Sequence, residues 1–162
     1  MSDGNFANFT GNNLEKAVQS IFYEHNFEIV EHKDWIKNKS NFGEDILIRN
    51  VPYKTIYNHK GKMEFLVISK KYNLNVRIEC KWQQVSGSVD EKFPYLYLNC
   101  IEKIEEKEFI IIVGGKGQKE GAINWLKNAV KNKLYTDETN KDKNIQIFDL
   151  DDFMKWANKK FK

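Results

Sequence analysis

Two glutamates and a lysine lie in two neighbouring apolar runs, residues 64–69 and 77–83. Glu64 opens the first run. In the second run, a strand would place alternate side chains on opposite faces: one face carries Arg77, Glu79, Lys81 and Gln83, and the other carries Val76, Ile78, Cys80 and Trp82. Two carboxylates close together on one face repel each other, and a hard divalent cation is the usual partner that relieves this repulsion.

The polar stretch 70–74 between the two runs is typical of an antiparallel hairpin. A turn centred on Tyr72 and Asn73 predicts that Glu64 lies opposite Lys81, and that Leu66 lies opposite Glu79. A slip of one residue would move the groups to different faces. The proposed chemistry therefore depends on this hairpin.

The spacing of these residues resembles the motif of the PD-(D/E)XK nuclease superfamily. In that motif an acidic residue opens one strand and a (D/E)-x-K triplet lies on the next. Here Met63-Glu64 replaces Pro-Asp, and Glu79-Cys80-Lys81 forms the triplet. The longer block ECKWQ (79–83), followed by GSVDEK (87–92), resembles a phage and bacterial branch of the superfamily.

The resemblance implies a site for Mg2+ or Mn2+. Its ligands would be Glu64, Glu79 and the backbone carbonyl of Cys80. A glutamate on the first helix often reaches the metal in this family, and Glu15 is the position that fits. The alternative for Glu15 is an exposed residue that complements the helix dipole.

The resemblance also implies that Lys81 positions the attacking water or helps to deprotonate it, and that Gln83 orients water or phosphate. The helix expected after residue 88 could present backbone N–H groups to a phosphate, with Ser88 and Lys92 as DNA contacts. The alternative is an ordinary well-capped helix.

Asp45 is the rival for the first acidic position, because it also opens an apolar run. We prefer Glu64, which lies on the adjoining hairpin arm and begins a run that is apolar on both faces. Without the resemblance, the alternation around Glu79 would indicate only a half-solvated strand. The acidic start of the preceding strand, Glu15 and the helix start after residue 88 together favour a nuclease.

The order of apolar patterns predicts an α/β protein with a mixed central sheet flanked by helices. The resemblance makes this a restriction-endonuclease-like core, αβββαβ, with a C-terminal αβα extension. We expect residues 1–162 to form a single domain in which residues 1–9 are a loose arm. Gly114 to Gly117, after a buried strand, indicates a tight strand-to-helix connection.

The charge balance permits a polyanionic partner without requiring one. The net charge is +3, and almost all cations are lysines, which suit phosphate contact better than bidentate base recognition. The two cysteines have no metal-site spacing, which favours a reduced, cytoplasmic protein. We expect neither a leader peptide nor a membrane-spanning run.

The function predicted from the sequence is a Mg2+-dependent DNA endonuclease, either structure-directed or restriction-like. The alternative is a domain of the same fold that binds DNA or a protein without cutting. A homodimer would let one active site per subunit serve each strand, and the sequence leaves that arrangement open.

Overall fold

The computed structural model describes residues 3–83, 89–117 and 119–162, with side chains from residue 11 onward. The helices are α1 (Asp3–Glu24), α2 (His32–Trp35), α3 (Val89–Glu102), α4 (Glu120–Lys131) and α5 (Leu150–Lys160), with a 3-10 turn at Lys39–Asn41. The strands are β1 (Glu28–Glu31), β2 (Asp45–Lys54), β3 (Lys60–Ser69), β4 (Leu74–Trp82), β5 (Glu108–Gly114) and β6 (Asn144–Phe148).

The described strands form one mixed sheet in the order β1 to β6. The strands β2, β3 and β4 form an antiparallel meander, whereas β1 joins β2, and β5 and β6 join β4, in parallel. The parallel neighbours are connected through helices: β1 to β2 through α2, β4 to β5 through α3, and β5 to β6 through α4. The predicted α/β architecture, a mixed sheet flanked by helices, is confirmed. The αβββαβ core has β1 and α2 inserted after its first helix, and the αβα extension consists of α4, β6 and α5.

The two faces of the sheet are covered by different helices. Alternate strand residues such as Phe65, Ile78 and Ile112 pack with apolar residues of α1 and α5. The intervening positions Phe109 and Ile111 pack with α3 and α4. Burial on both faces explains the continuously apolar sequence of β5.

The register of the hairpin between β3 and β4 differs from our prediction by two residues. Ser69 pairs with Leu74 around a four-residue loop, and Asn73 takes a φ of 52°. Loops of four residues are common in β-hairpins. An even shift keeps every side chain on its predicted face. It places Glu64 level with Glu79 rather than with Lys81.

The strand β3 begins at Lys60, so Glu64 lies in its middle and does not open it. The alternation of β3 is interrupted there, because Met63 packs with α3 and α4 whereas Phe65 packs with α1 and α5. On the neighbouring strand β2, Asn50 lies opposite Glu64 and has a φ of 56°. The hairpin of β2 and β3 therefore bends beside Glu64.

The start of α1 also differs from our prediction. The helix α1 begins at Asp3, so the backbone expected as a loose arm is helical from that residue. Extending an existing helix adds a hydrogen bond for each residue fixed, and no proline interrupts this stretch. The helix α5 is capped by Asp149, which accepts a hydrogen bond from the Asp152 N–H at 2.8 Å.

Candidate active site

Glu64 and Glu79 meet where the ladder between β3 and β4 ends. The last pair of that ladder is Phe65 with Ile78. One step further, the Glu64 N–H donates to Glu79 Oε2 at 3.4 Å, and the Cys80 N–H donates to Glu64 Oε2. Where the strands separate, the side-chain carboxylates thus accept hydrogen bonds from the backbone N–H groups. These hydrogen bonds hold the two carboxylates beside each other.

Lys81 completes the group. Its Nζ lies 2.6 Å from Glu79 Oε1, with the Lys81 side chain 22% exposed and the Glu79 side chain 10% exposed. The two residues are two apart on β4 and therefore share a face. The structure brings together the three side chains on which the sequence argument depends.

Burial is the largest cause of the pKa shifts of the two carboxyl groups. Burial first, and then the charge of Glu79, raise the pKa of Glu64 to about 9. Burial also raises the pKa of Glu79, although Lys81 opposes that shift. Burial opposes the charge of Lys81, but the neighbouring Glu79 and Glu64 outweigh it and raise the lysine pKa. With a pKa raised this far, Glu64 holds a proton near neutral pH, and the pair carries two negative charges only when a cation takes the place of that proton.

Glu15 and Cys80 flank this group. Glu15 lies half-buried on α1, and its charge contributes to the raised pKa of both Glu64 and Glu79. The Cys80 side chain is buried among the residues under α1 and α5. Its backbone therefore lies beside the carboxylates while its thiol belongs to the core.

Gln83 is not placed as the sequence predicted. Its side chain donates to the Gly117 carbonyl at 2.9 Å and accepts from the Val89 N–H at 2.8 Å. Its backbone also bonds to Gly114 and Gly117. Both ends of the amide are therefore engaged within the protein, so Gln83 ties the start of α3 to the glycine turn instead of facing water or phosphate.

The other candidate residues lie apart from the carboxylate pair or outside the described residues. Asp45 pairs with Ser69 at the far end of β3, where it accepts a hydrogen bond from the Ser69 hydroxyl at 2.5 Å. That level is five residues from Glu64, about 16 Å along a strand. Lys92 is exposed in the first turn of α3, and Ser88 lies outside the described residues.

The donor set suits a small hard cation. No three Asp, Glu, His or Cys side chains converge into a metal-binding group within the described part of the chain. Mg2+ is commonly held by only one or two carboxylates and keeps several waters. Glu64 and Glu79 supply that pair, and a divalent ion would displace the proton that burial and the charge of Glu79 keep on Glu64.

Asn50 is the structural residue of the site that the sequence argument missed. Its left-handed backbone coincides with the bend beside Glu64. Its side chain donates to Glu31 Oε2 at 2.9 Å. Asparagine tolerates positive φ better than most residues, so an asparagine inside a strand pattern was the available signal.

The chain belongs to the PD-(D/E)XK nuclease superfamily. A family model described as a PD-(D/E)XK nuclease superfamily domain matches residues 6–161, which is nearly the whole chain. This confirms the resemblance drawn from the motif. No curated protein and no solved structure gives a significant match.

Membership indicates a nuclease domain that interacts with nucleic acid, in a superfamily whose enzymes typically use divalent metal ions. None of the helices that the structure describes is long and apolar enough to cross a bilayer.

Proposed function

We propose that this protein is a Mg2+-dependent DNA endonuclease that hydrolyses phosphodiester bonds at Glu64, Glu79 and Lys81. The observation that carries the proposal is the convergence of these side chains at the point where β3 separates from β4. Superfamily membership supplies the reaction class.

Each side chain has a distinct part in this proposal. Glu64 and Glu79 would hold the metal together with the Cys80 carbonyl, and Glu15 on α1 would add its negative charge beside the metal. The bound ion would lower the pKa of a water molecule and polarise the phosphate. Lys81, oriented by Glu79, would place its ammonium beside the phosphate and stabilise the charge that develops on the phosphate oxygens. Gln83 would act indirectly, by holding the loops next to the site.

The test is cleavage of supercoiled, linear, single-stranded and branched DNA in Mg2+, Mn2+ or EDTA. We expect cutting in either metal and none in EDTA. Glu79→Gln and Lys81→Ala should each lower the rate by about 100-fold or more, the scale of losing one electrostatic group of an active site. Asp45→Asn is the matched control, because it neutralises the rival carboxylate, which lies on β2 of the same sheet.

Three outcomes would count against the proposal. Wild-type activity that survives both Glu79→Gln and Lys81→Ala would place the chemistry elsewhere. Loss of activity in Asp45→Asn alone would restore the rival residue. Retention of DNA without cleavage in any metal would favour the second candidate, a nuclease-fold domain that binds without cutting.

A further inference from the structure

The ends of β2 and β3 extend beyond the sheet as a two-stranded ribbon, which we define as residues 51–54 and 60–63. The strand β1 pairs only with Ile46–Arg49, and β4 pairs only with Phe65–Ser69. Within the ribbon the two strands pair only with each other, from Val51 with Met63 to Lys54 with Lys60. A two-stranded ribbon is an element narrow enough to enter a groove of a nucleic acid.

The two faces of the ribbon differ sharply. On the inner face Tyr53 and Met63 pack with residues of α3 and α4. On the outer face Lys54 lies directly opposite Lys60, and Lys62 follows two residues further along the strand. All three lysines are exposed. The outer face is therefore a row of three ammonium groups.

This row of lysines is unfavourable for the ribbon itself. Like charges directly opposite each other in a strand pair are destabilising. Among the described residues none of the three lysines has a carboxylate within ion-pair distance. The chain between Asp45 and Glu64 contains no acidic residue at all. The row lacks an internal counterion and is complementary to a polyanion.

An exposed tyrosine lies at the tip of the ribbon. Tyr57 stacks on Tyr95 of α3, with ring centroids 5.2 Å apart and an interplanar angle of 21°, and yet remains 63% exposed. The tip is held to α3 because the Ile56 N–H donates to Asn99 Oδ1 at 2.9 Å. A tyrosine backed by a second ring and fixed in this way can receive a nucleobase without much further loss of entropy.

We propose that the ribbon is the surface that binds the nucleic acid next to the cleavage site, and that it prefers strands with unpaired bases. Lys54, Lys60 and Lys62 contact backbone phosphates while Tyr57 stacks on an unpaired base. Lys62 is two residues from Glu64, about 7 Å along β3, so the row ends beside the strand position that carries Glu64. The inference rests on the proposed function and specifies its substrate class.

The test is equilibrium binding in EDTA, measured by fluorescence anisotropy. The probes are a labelled single strand, a fork with unpaired arms and a blunt duplex. The ribbon variant carries Lys54→Gln, Lys60→Gln and Lys62→Gln. The matched control carries Lys155→Gln, Lys159→Gln and Lys162→Gln, which change the net charge equally around the C-terminal helix. Tyr57→Ala is compared with Tyr57→Phe.

We expect the ribbon variant to bind the fork about 10-fold more weakly than the control, with the slope of log K against log salt reduced by about 2 to 3. Tyr57→Ala should weaken binding to the single strand and the fork by about 5- to 100-fold and leave the duplex nearly unchanged, while Tyr57→Phe retains binding. Equal binding by the ribbon variant and the control overturns the inference. The inference is also overturned if Tyr57→Ala weakens binding to the duplex as much as binding to the fork.

The binding test is independent of cleavage. A wild-type protein that binds through the ribbon but never cuts would overturn the proposed function and support the inference. Unchanged binding by the ribbon variant, with metal-dependent cleavage intact, would overturn the inference and support the proposed function.

Discussion

The two arginines of the chain allow a direct test of what burial does to an ion pair. Arg77 is 7% exposed and its Nε donates to Glu106 Oε2 at 3.1 Å, with Glu106 15% exposed. The same guanidinium donates to the Val51 and Pro52 carbonyls at 3.1 and 3.5 Å. It therefore fastens β4, the strand that carries Glu79, to the base of the ribbon.

Arg77→Met should be strongly destabilising. The substitution leaves the Glu106 carboxylate without its partner and removes the donors to two carbonyls, while a methionine fills most of the apolar volume. Breaking a buried pair in this way costs about 3 to 5 kcal/mol of unfolding free energy. With a urea m-value of about 2 kcal/mol/M, the unfolding midpoint should fall by about 1.5 to 2.5 M.

Arg49→Met is the matched control. Its Nη1 lies 3.0 Å from Glu31 Oε1, but the two side chains are 38% and 29% exposed. An ion pair at that exposure contributes about 0 to 1 kcal/mol. Adding Glu106→Gln to Arg77→Met should recover part of the loss, because the unpaired charge is gone. If both single arginine variants unfold at the same urea concentration, the burial argument is wrong.

Two further predictions concern the turn that holds Gln83. Gly115 has a φ of 88°, and an added Cβ would lie 2.2 Å from the Gln83 carbonyl oxygen, so Gly115→Ala should lower the free energy of unfolding. Gly121 lies in open space on α4, so Gly121→Ala should raise the free energy of unfolding by about 0.5 to 1 kcal/mol. A stability gain at both glycines would contradict the turn geometry. Gln83→Ala should lower the free energy of unfolding in urea by about 1 to 3 kcal/mol and reduce cleavage, because the Val89 N–H and the Gly117 carbonyl lose their hydrogen-bond partner. If neither the unfolding free energy nor the cleavage rate changes, Gln83 does not hold the turn in place.

The sequence predicted the faces of the strands better than their register. The alternation from Arg77 to Gln83 fixed which side chains share a face, since burial of the apolar positions enforces it. The level of Glu64 depended on where the turn is centred: on Tyr72 and Asn73 as predicted, or on Lys71 and Tyr72 as in the structure. Apolar periodicity cannot distinguish those cases, because they differ by two residues and leave each face unchanged.

Residues whose position depends on contacts distant in sequence were harder to predict. Gln83 follows the catalytic pattern of β4, yet its amide partners, Val89 and Gly117, come from two later segments of the chain. Arg77 looked like one more polar position on a half-solvated strand. Its buried partner lies 29 residues further on, in the loop before β5.

The separation of β3 from β4 accounts for both the candidate active site and the ribbon. At that point the Glu64 and Cys80 N–H groups no longer have carbonyl partners across the ladder, and carboxylates of Glu79 and Glu64 accept from them instead. The two glutamates thus have a structural role in addition to the chemical role proposed for them. An alanine at either position would leave a buried donor unsatisfied, at about 1 to 3 kcal/mol. Glutamine keeps an acceptor oxygen for the backbone N–H, but Glu79→Gln also removes the ion pair with Lys81. Cleavage is therefore compared with the urea midpoint of each glutamine variant, and a loss of cleavage at an unchanged midpoint measures chemistry and not folding.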